Sequence, residues 1–157
     1  MRYSGKEWLT IQEANLDKEI LYRDFFPNAD VFILPSYQDS FGLVFLEALS
    51  FGLPIIATDI YAVPEMVYDE INGYLIEPPI LFFNKDYTLN EKSAFSDLSI
   101  IIENDGIYNG AVQRLIHKIK DLIDNDRIRD LSLQSKILFE RRFSEECHSR
   151  DFLRALQ

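Results

Sequence analysis

The chain has 157 residues, 47% of them hydrophobic, and a formal net charge of −10. This length and composition fit one domain with a buried core and exclude a disordered tail. The one cysteine excludes an intramolecular disulfide and a cysteine metal cluster, and the acidic balance offers no basic surface for a nucleic acid.

The first part of the chain alternates between helix and strand signals, after residues 1–16, which show no clear pattern. Apolar residues at helical spacing predict a helix over Asp17–Phe26, which Pro27 ends. The apolar run Asp30–Pro35 predicts a parallel strand that is covered on both faces. A polar loop, Ser36–Phe41, follows this strand.

A second helix is predicted over Gly42–Phe51, where Gly52 and Pro54 stop it. The elements that follow are a strand at Ile55–Thr58, a short helix at Pro64–Val67, a turn at Asn72-Gly73 and a strand at Tyr74–Ile76. This alternation predicts an α/β fold with a partial Rossmann-like parallel sheet flanked by helices.

The rest of the chain divides into an irregular segment and a helical tail. Residues 78–110 are predicted as an irregular insertion, which could be a lid, a loop, or a hairpin built from Ile80–Phe83 and Leu98–Ile102. Residues 111–157 predict two or three C-terminal helices, with a break at 124–126. We interpret residues 1–157 as a single partial domain whose α/β core is residues 17–77.

The loop after the first strand is the place where this fold binds ligands, because ligands of α/β sheets bind at the carboxyl ends of the strands. The free amides of a helix amino terminus suit a phosphate, and Gly42 lets a ligand approach the backbone closely. Glu47 stands among apolar neighbours in the same helix, so its carboxylate should be paired or face a polar cleft. Carboxylates can accept hydrogen bonds from vicinal hydroxyls of a ribose.

The run from Pro35 to Leu49 resembles the signature of glycosyltransferase family 4, whose members have two Rossmann domains (the GT-B architecture). In that signature two acidic residues have seven residues between them, and here they would be Asp39 and Glu47. The resemblance spans about residues 17–77, through further ordered blocks at Asn28–Ser36, Gly52–Asp59, Val63–Val67 and Asn72–Ile76. It implies that the chain is the C-terminal donor-binding part of such an enzyme, truncated at its N terminus.

The resemblance also implies roles for individual residues. Asp39 would be the catalytic-site carboxylate that contacts the donor sugar, and Glu47 would hold the ribose hydroxyls of the nucleotide. The remaining substrate-binding positions would be Ser36, Ser40, Phe41, Gly42 and Leu43. The family transfers a sugar from a nucleotide-diphospho-sugar with retained anomeric configuration, and it needs no metal or other cofactor.

This chain departs from the family pattern at several points. Asp39 replaces the usual Glu, which shortens its reach to the sugar, and Ser40 replaces a usual Gly. The family's Arg/Lys pair that neutralises the diphosphate has no true counterpart, because Arg2 and Lys6 are one residue too close together. We therefore expect the cations to come from other sequence or from a partner chain, which would also supply the acceptor-binding half.

Three interpretations follow. The chain is the donor-binding part of a glycosyltransferase that uses a saccharide, lipid-linked or small-molecule acceptor. The alternatives are a non-catalytic nucleotide-sugar-binding subunit or regulator, and a degenerate scaffold. We expect a cytoplasmic location, with a peripheral membrane position as an alternative, and we expect a homo-oligomer or a partner because the Asp30–Pro35 strand would have an open apolar edge.

Overall fold

A computed structural model describes residues 7–10, 17–37, 41–78, 81, 83–84, 88–90 and 105–155, with only the backbone described at 105–108. Its three strands are β1 (Phe32–Leu34), β2 (Ile55–Thr58) and β3 (Gly73–Ile76). They form one parallel sheet in the order β1-β2-β3. The α/β class and the parallel sheet are therefore confirmed, and β2 has the bounds that the sequence predicts.

Helices cover this sheet. They are α1 (Lys18–Ile20), which continues into a π-turn at Leu21–Phe25 and a 3-10 turn at Phe26–Asn28, then α2 (Leu43–Ser50), α3 (Val63–Met66), α4 (Asp105–Asp124), α5 (Ile128–Arg142) and α6 (Glu145–Ala155). Alternate residues of β2 point to opposite faces. Ile55 and Ala57 join α2 and α3 in one hydrophobic cluster, whereas Ile56 joins Leu122 of α4 and Leu131 of α5 in another.

The first helix differs from the prediction. The sequence indicates one regular helix that Pro27 ends, with Ile20, Leu21 and Phe25 at helical spacing, and of these Leu21 packs against the first hydrophobic cluster. The structure instead widens into a π-turn, and the helical segment runs on through Pro27 to Asn28. Because the π-turn adds a residue to the turn, Phe26 becomes the buried side chain, whereas Ile20 and Phe25 lie exposed.

The prediction that the first strand is covered on both faces is wrong for half of it. Phe32 and Leu34 pack against the first hydrophobic cluster, but Ile33 on the other face is 36% exposed. Its neighbour across the ladder, Ile56, is fully buried. The tail helices therefore cover β2 and leave the middle of β1 open, and β1 lies at an edge of the sheet among the described residues.

Two boundaries in the second half of the chain also differ. Helix α3 begins at Val63, one residue before Pro64. Helix α4 begins at Asp105, so the irregular segment is shorter than the predicted 78–110. The glycines at 106 and 110 lower the helix propensity, so the sequence does not predict a helix from Asp105. The packing of the helix on β3 outweighs this low propensity.

The described part of the insertion contains a short turn. Phe83 forms an isolated antiparallel bridge with Leu89, and Asn84 donates twice across this turn to Thr88, from its backbone amide to the Thr88 carbonyl at 2.8 Å and from its side-chain amide to the Thr88 hydroxyl at 2.9 Å. The second predicted arm, Leu98–Ile102, lies outside the described residues.

Helix α6 follows the predicted third tail helix, but its apolar side chains do not pack as expected. Phe152 and Leu153 are 66% and 61% exposed, and Cys147 is the buried residue of this helix. None of the helices in the described ranges combines the length and the apolar character that a membrane span requires.

The Asn72-Gly73 turn is held by an unusually complete set of hydrogen bonds. The buried Asn72 side chain accepts from the Tyr68 amide at 2.7 Å and donates to the Met66 carbonyl at 3.0 Å. Its own carbonyl accepts from the Ser135 hydroxyl of α5 at 3.0 Å. The turn that starts β3 is therefore tied both to α3 and to the tail helices.

Tyr74 provides a stability prediction. Its ring is fully buried, its hydroxyl donates to Asp121, and Lys118 Nζ lies 4.6 Å from the ring centroid. Burial, and next the hydrogen bond to Asp121, raise the pKa of Tyr74 from 10.0 to about 12. The unfolded chain therefore loses this proton first, and the stabilisation present below pH 10 disappears as the pH rises towards 12.

We expect the free energy of unfolding to fall by about 2 kcal/mol between about pH 9 and pH 12 because of Tyr74. Urea unfolding at pH 9, 10, 11 and 12 measures it, with Tyr74→Phe as the comparison. The variant should show a shallower decline, since the other tyrosines and lysines titrate equally in both proteins. Identical slopes for the two proteins would show that Tyr74 does not supply this pH dependence.

Candidate functional site

The candidate site begins where β1 ends. Ser36, half-buried, lies two residues beyond the strand, and its amide donates to the Leu34 carbonyl at 3.0 Å. Helix α2 begins after Gly42, which has φ 70° and ψ 54° and occupies the N-cap position. A side chain is disfavoured in this left-handed conformation, which explains a glycine here.

The amino terminus of α2 has no side-chain cap among the described residues. Its first amides are therefore open to an external acceptor, and the helix dipole places roughly half a positive charge there. An anion such as a phosphate suits this position. Phe41 and Leu43 on either side of Gly42 are 46% and 64% exposed.

Helix α2 is not buried all round, although its sequence is almost entirely apolar. One face, with Phe45, Ala48 and Leu49, is fully buried in the first hydrophobic cluster. Leu43 and Glu47 are four residues apart and so share the opposite face, at the side of the helix that the solvent reaches. Glu47 thus lies about one turn along the helix from its open amino terminus.

Glu47 is paired, as the sequence predicts for a carboxylate in an apolar helix. Its Oε1 lies 2.9 Å from Lys18 Nζ, and its side chain keeps 18% exposure. The Tyr22 hydroxyl also acts on this carboxylate, since it lowers the pKa of Glu47. Lys18 and Tyr22 are four residues apart, on one side of the first helical segment, and face α2 together.

The protonation state of Glu47 follows from these contacts. Burial raises the pKa of the Glu47 carboxyl, but the hydrogen bonds from Lys18 and then Tyr22, with the charge of Lys18, outweigh it. The pKa of Glu47 is therefore below its ordinary value, and the side chain is ionised at neutral pH. Conversely, the Glu47 carboxylate raises the pKa of Lys18 and of Tyr22.

An aromatic cluster fixes Tyr22 against α2. The Tyr22 ring centroid lies 5.9 Å from that of Phe26 and 5.7 Å from that of Phe51, which caps the carboxyl end of α2. Phe26 also contacts Phe51 at 5.2 Å and Phe32 of β1 at 6.0 Å. The donors to Glu47 are therefore anchored to the same helix that carries the carboxylate.

The structure describes five of the seven predicted site residues. Ser36, Phe41, Gly42 and Leu43 follow the carboxyl end of β1 as predicted, and Glu47 lies on the accessible face of α2. Asp39 and Ser40 lie outside the described residues, so their predicted contacts with the donor sugar stay predictions.

The sequence-based interpretation includes Tyr22 in the stretch that resembles the family, but it gives neither Lys18 nor Tyr22 a role in the site. Both lie in the predicted first helix, and their spacing of four residues is a signal that they share a face. Nothing in the local sequence indicates that this face meets Glu47, because the contact joins residues far apart in the chain.

No group of three or more His, Cys, Asp or Glu side chains within the described ranges could hold a metal ion. The expectation that donor binding needs no metal or other cofactor remains a prediction. His117 and His148 lie exposed on α4 and α6, as the sequence suggests for surface residues.

Comparison with known proteins supports this resemblance. The family model described as "Glycosyl transferases group 1" matches residues 11–81, which include β1, α2 and Glu47. Over these residues the chain is similar to the group 1 glycosyltransferases. The resemblance inferred from the sequence motifs is confirmed.

Two relatives show how much of a group 1 glycosyltransferase this chain covers. A D-inositol 3-phosphate glycosyltransferase of Streptomyces griseus is 41% identical over 54 residues, which are 34% of this chain and 11% of that protein. An Escherichia coli protein named UDP-Gal:alpha-D-GlcNAc-diphosphoundecaprenol alpha-1,3-galactosyltransferase is 32% identical over 119 residues, 70% of this chain and 31% of that protein. The chain therefore spans about a third or less of these relatives.

A solved structure supports the fold. The pneumococcal O-GlcNAc transferase, crystallised with UDP and GlcNAc, superimposes with a TM-score of 0.54 at 23% identity, over 80% of this chain and 20% of that chain. The sheet and its flanking helices thus match part of a GT-B glycosyltransferase, which confirms the predicted Rossmann-like architecture.

Proposed function

We propose that this chain binds the nucleotide part of a nucleotide-diphospho-sugar and serves retaining glycosyl transfer to a saccharide, lipid-linked or small-molecule acceptor. The observation that carries the proposal is the ionised, partly exposed Glu47 carboxylate, one turn from the uncapped amino terminus of α2. The carboxylate is suited to the hydroxyls of a ribose, and the amino terminus of the helix is suited to a phosphate. The named enzymes among the relatives favour catalysis over the non-catalytic alternative.

In the proposed reaction the bond between the anomeric carbon and the diphosphate oxygen breaks, and a bond to an acceptor oxygen forms with the same anomeric configuration. The nucleoside diphosphate leaves with the electron pair of the broken bond, and its departing oxygen accepts the proton of the acceptor hydroxyl. The amino terminus of α2 would stabilise charge that develops on the diphosphate. Asp39 would contact the donor sugar.

Nucleotide binding tests this function. The full chain is titrated with UDP, GDP and ADP and observed by ligand-detected NMR. UDP comes first, because the E. coli relative is named for UDP-galactose and the pneumococcal structure holds UDP. We expect saturable binding of one diphosphate, with uridine alone binding more weakly. A cooperatively folded sample that binds none of them would refute the proposal.

We also propose that the chain associates through the open edge of β1, with a second copy or with a separate acceptor-binding chain. Ile33 is exposed there, and no strand pairs with the outer side of β1 within the described ranges. Light scattering on the purified chain should give a mass above the 18.4 kDa of one copy. Ile33→Lys, which places a charge on the exposed face of this edge strand, should lower that mass, and a monodisperse monomer before substitution would contradict association of copies.

A lipid-linked acceptor would bring the protein to a membrane surface. The E. coli relative carries such an acceptor in its name, which supports a peripheral membrane position as the finer proposal on location. Sedimentation with anionic lipid vesicles would test it, with recovery of all protein in the supernatant as the contrary result.

A further inference from the structure

We propose that Lys18 and Tyr22 are positioning residues of the nucleotide site, which orient the Glu47 carboxylate so that its free acceptor sites meet the two vicinal hydroxyls of the ribose. This inference rests on the proposed function and names the residues that prepare its central contact.

The geometry places both donors on the same carboxylate. Lys18 Nζ lies 2.9 Å from Glu47 Oε1 and 6.0 Å from the centroid of the Tyr22 ring, so the ammonium group is close to both side chains. The Tyr22 hydroxyl also acts on this carboxylate, since it lowers the pKa of Glu47. Two donors on one carboxylate restrict its rotation more than one does.

The acceptor capacity of Glu47 fits a diol. An ionised carboxylate offers about four lone-pair sites, and Lys18 and Tyr22 take two of them. The remaining two match the two hydrogen bonds that vicinal hydroxyls donate. The 18% exposure of the Glu47 side chain lets a ligand reach them.

The ring of Tyr22 is held in place by two neighbouring aromatic rings. Its ring packs on Phe26 and on Phe51, and Phe51 ends the helix that carries Glu47. A site whose contact residue is held by packed neighbours loses less conformational entropy when the ligand binds.

The Lys18–Glu47 ion pair contributes little to the stability of the fold. The Lys18 side chain is 74% exposed, and exposed ion pairs contribute little to stability. Its removal should therefore change ligand binding more than it changes folding. If Lys18 instead only occupies Glu47 in competition with ribose, its removal should tighten binding, so the sign of the effect separates the two roles.

Among the described residues, the other elements packed on α2 bring no charge to Glu47. Helices α3 and α5 and strand β2 meet α2 through the first hydrophobic cluster, with side chains such as Met66, Leu138 and Ile55. The groups that act on the pKa of Glu47 are Lys18 and Tyr22, and both hold that pKa down against burial.

The test uses the full chain and UDP as the probe. Lys18→Met and Tyr22→Phe should each weaken UDP binding roughly three- to tenfold, and Lys18→Arg should restore most of the loss. The pKa of Glu47, followed by carbon-detected NMR without ligand, should rise in both Lys18→Met and Tyr22→Phe. Lys136→Met on the exposed side of α5 and Tyr68→Phe, whose hydroxyl contacts Arg142, are the matched controls and should bind UDP normally.

The outcomes are distinct. If the wild-type chain binds UDP and Lys18→Met and Tyr22→Phe bind it equally or more tightly, the positioning role is overturned. The proposed function then stays intact. If the folded wild-type chain binds none of UDP, GDP and ADP, the proposed function is overturned, and the inference that rests on it falls too. If GDP or ADP binds instead of UDP, the same variants are titrated with that nucleotide. Weaker UDP binding by the two variants, together with a raised pKa of Glu47, supports both the positioning role and the proposed function.

Discussion

Gly73→Ala should destabilise the chain by more than about 3 kcal/mol or prevent folding. A Cβ atom at residue 73 would lie 2.0 Å from the Ile55 carbonyl oxygen and 2.9 Å from the Ile55 nitrogen. Both atoms belong to backbone in the middle of the sheet, where β2 pairs with β3 at this residue. Relief would require the two strands to separate, and the buried Asn72 network would move with them.

Gly110→Ala is the matched control for this substitution. At residue 110, within α4, a Cβ atom meets nothing closer than Arg114 Nη1 at 3.5 Å, which is an ordinary contact. Alanine also has the higher helix propensity, so this variant should gain roughly 0.5–1 kcal/mol. Urea unfolding with circular dichroism measures both. Equal and small effects would show that Gly73 does not need its close approach to Ile55.

Glu47→Gln should weaken nucleotide binding roughly 10- to 100-fold, because hydrogen bonds to a charged group contribute about 1.5–3 kcal/mol. Glutamine keeps the size of the side chain but loses the charge and half of the acceptor capacity. Stability should change by less than about 1 kcal/mol, since the broken pair involves an exposed lysine.

Isothermal titration with the nucleoside diphosphate that binds best measures this loss. Glu140→Gln, an exposed carboxylate on α5, is the control and should bind as the wild-type chain does. Equal affinity of Glu47→Gln and the control would remove Glu47 from the site.

The sequence predicts well those features that depend on local pattern. The strand Ile55–Thr58 is short, apolar and bounded by turn residues. The helix predicted from Gly42 begins in the structure at the next residue, and Gly42 is its N-cap. The pairing of Glu47 also follows from local reasoning, since an apolar helix makes a lone carboxylate costly.

Features that depend on contacts between distant residues could not be predicted. The partner of Glu47, Lys18, is set by how the first helical segment docks through the aromatic rings of Tyr22, Phe26 and Phe51. The π-turn precedes the buried Phe26 in the same segment. The spacing of apolar residues in the sequence gives no signal for this turn.

Tertiary packing also overrides local propensity in the tail. The helix α4 starts at Asp105 in spite of two glycines, because its later turns pack on Tyr74 and Ile76. Conversely, Phe152 and Leu153 have an apolar helical spacing but find nothing to pack against among the described residues. Apolar spacing shows which side chains could be buried, and only the fold shows which are.

The most direct test of the proposed ribose contact is a cycle of two ligands and two proteins. UDP and its 2′,3′-dideoxy analogue are titrated into the wild-type chain and into Glu47→Gln. The proposed function predicts that the wild-type chain prefers UDP roughly tenfold or more and that Glu47→Gln shows little or no preference. A wild-type chain that binds both ligands equally, or a variant that keeps the full preference, would contradict it.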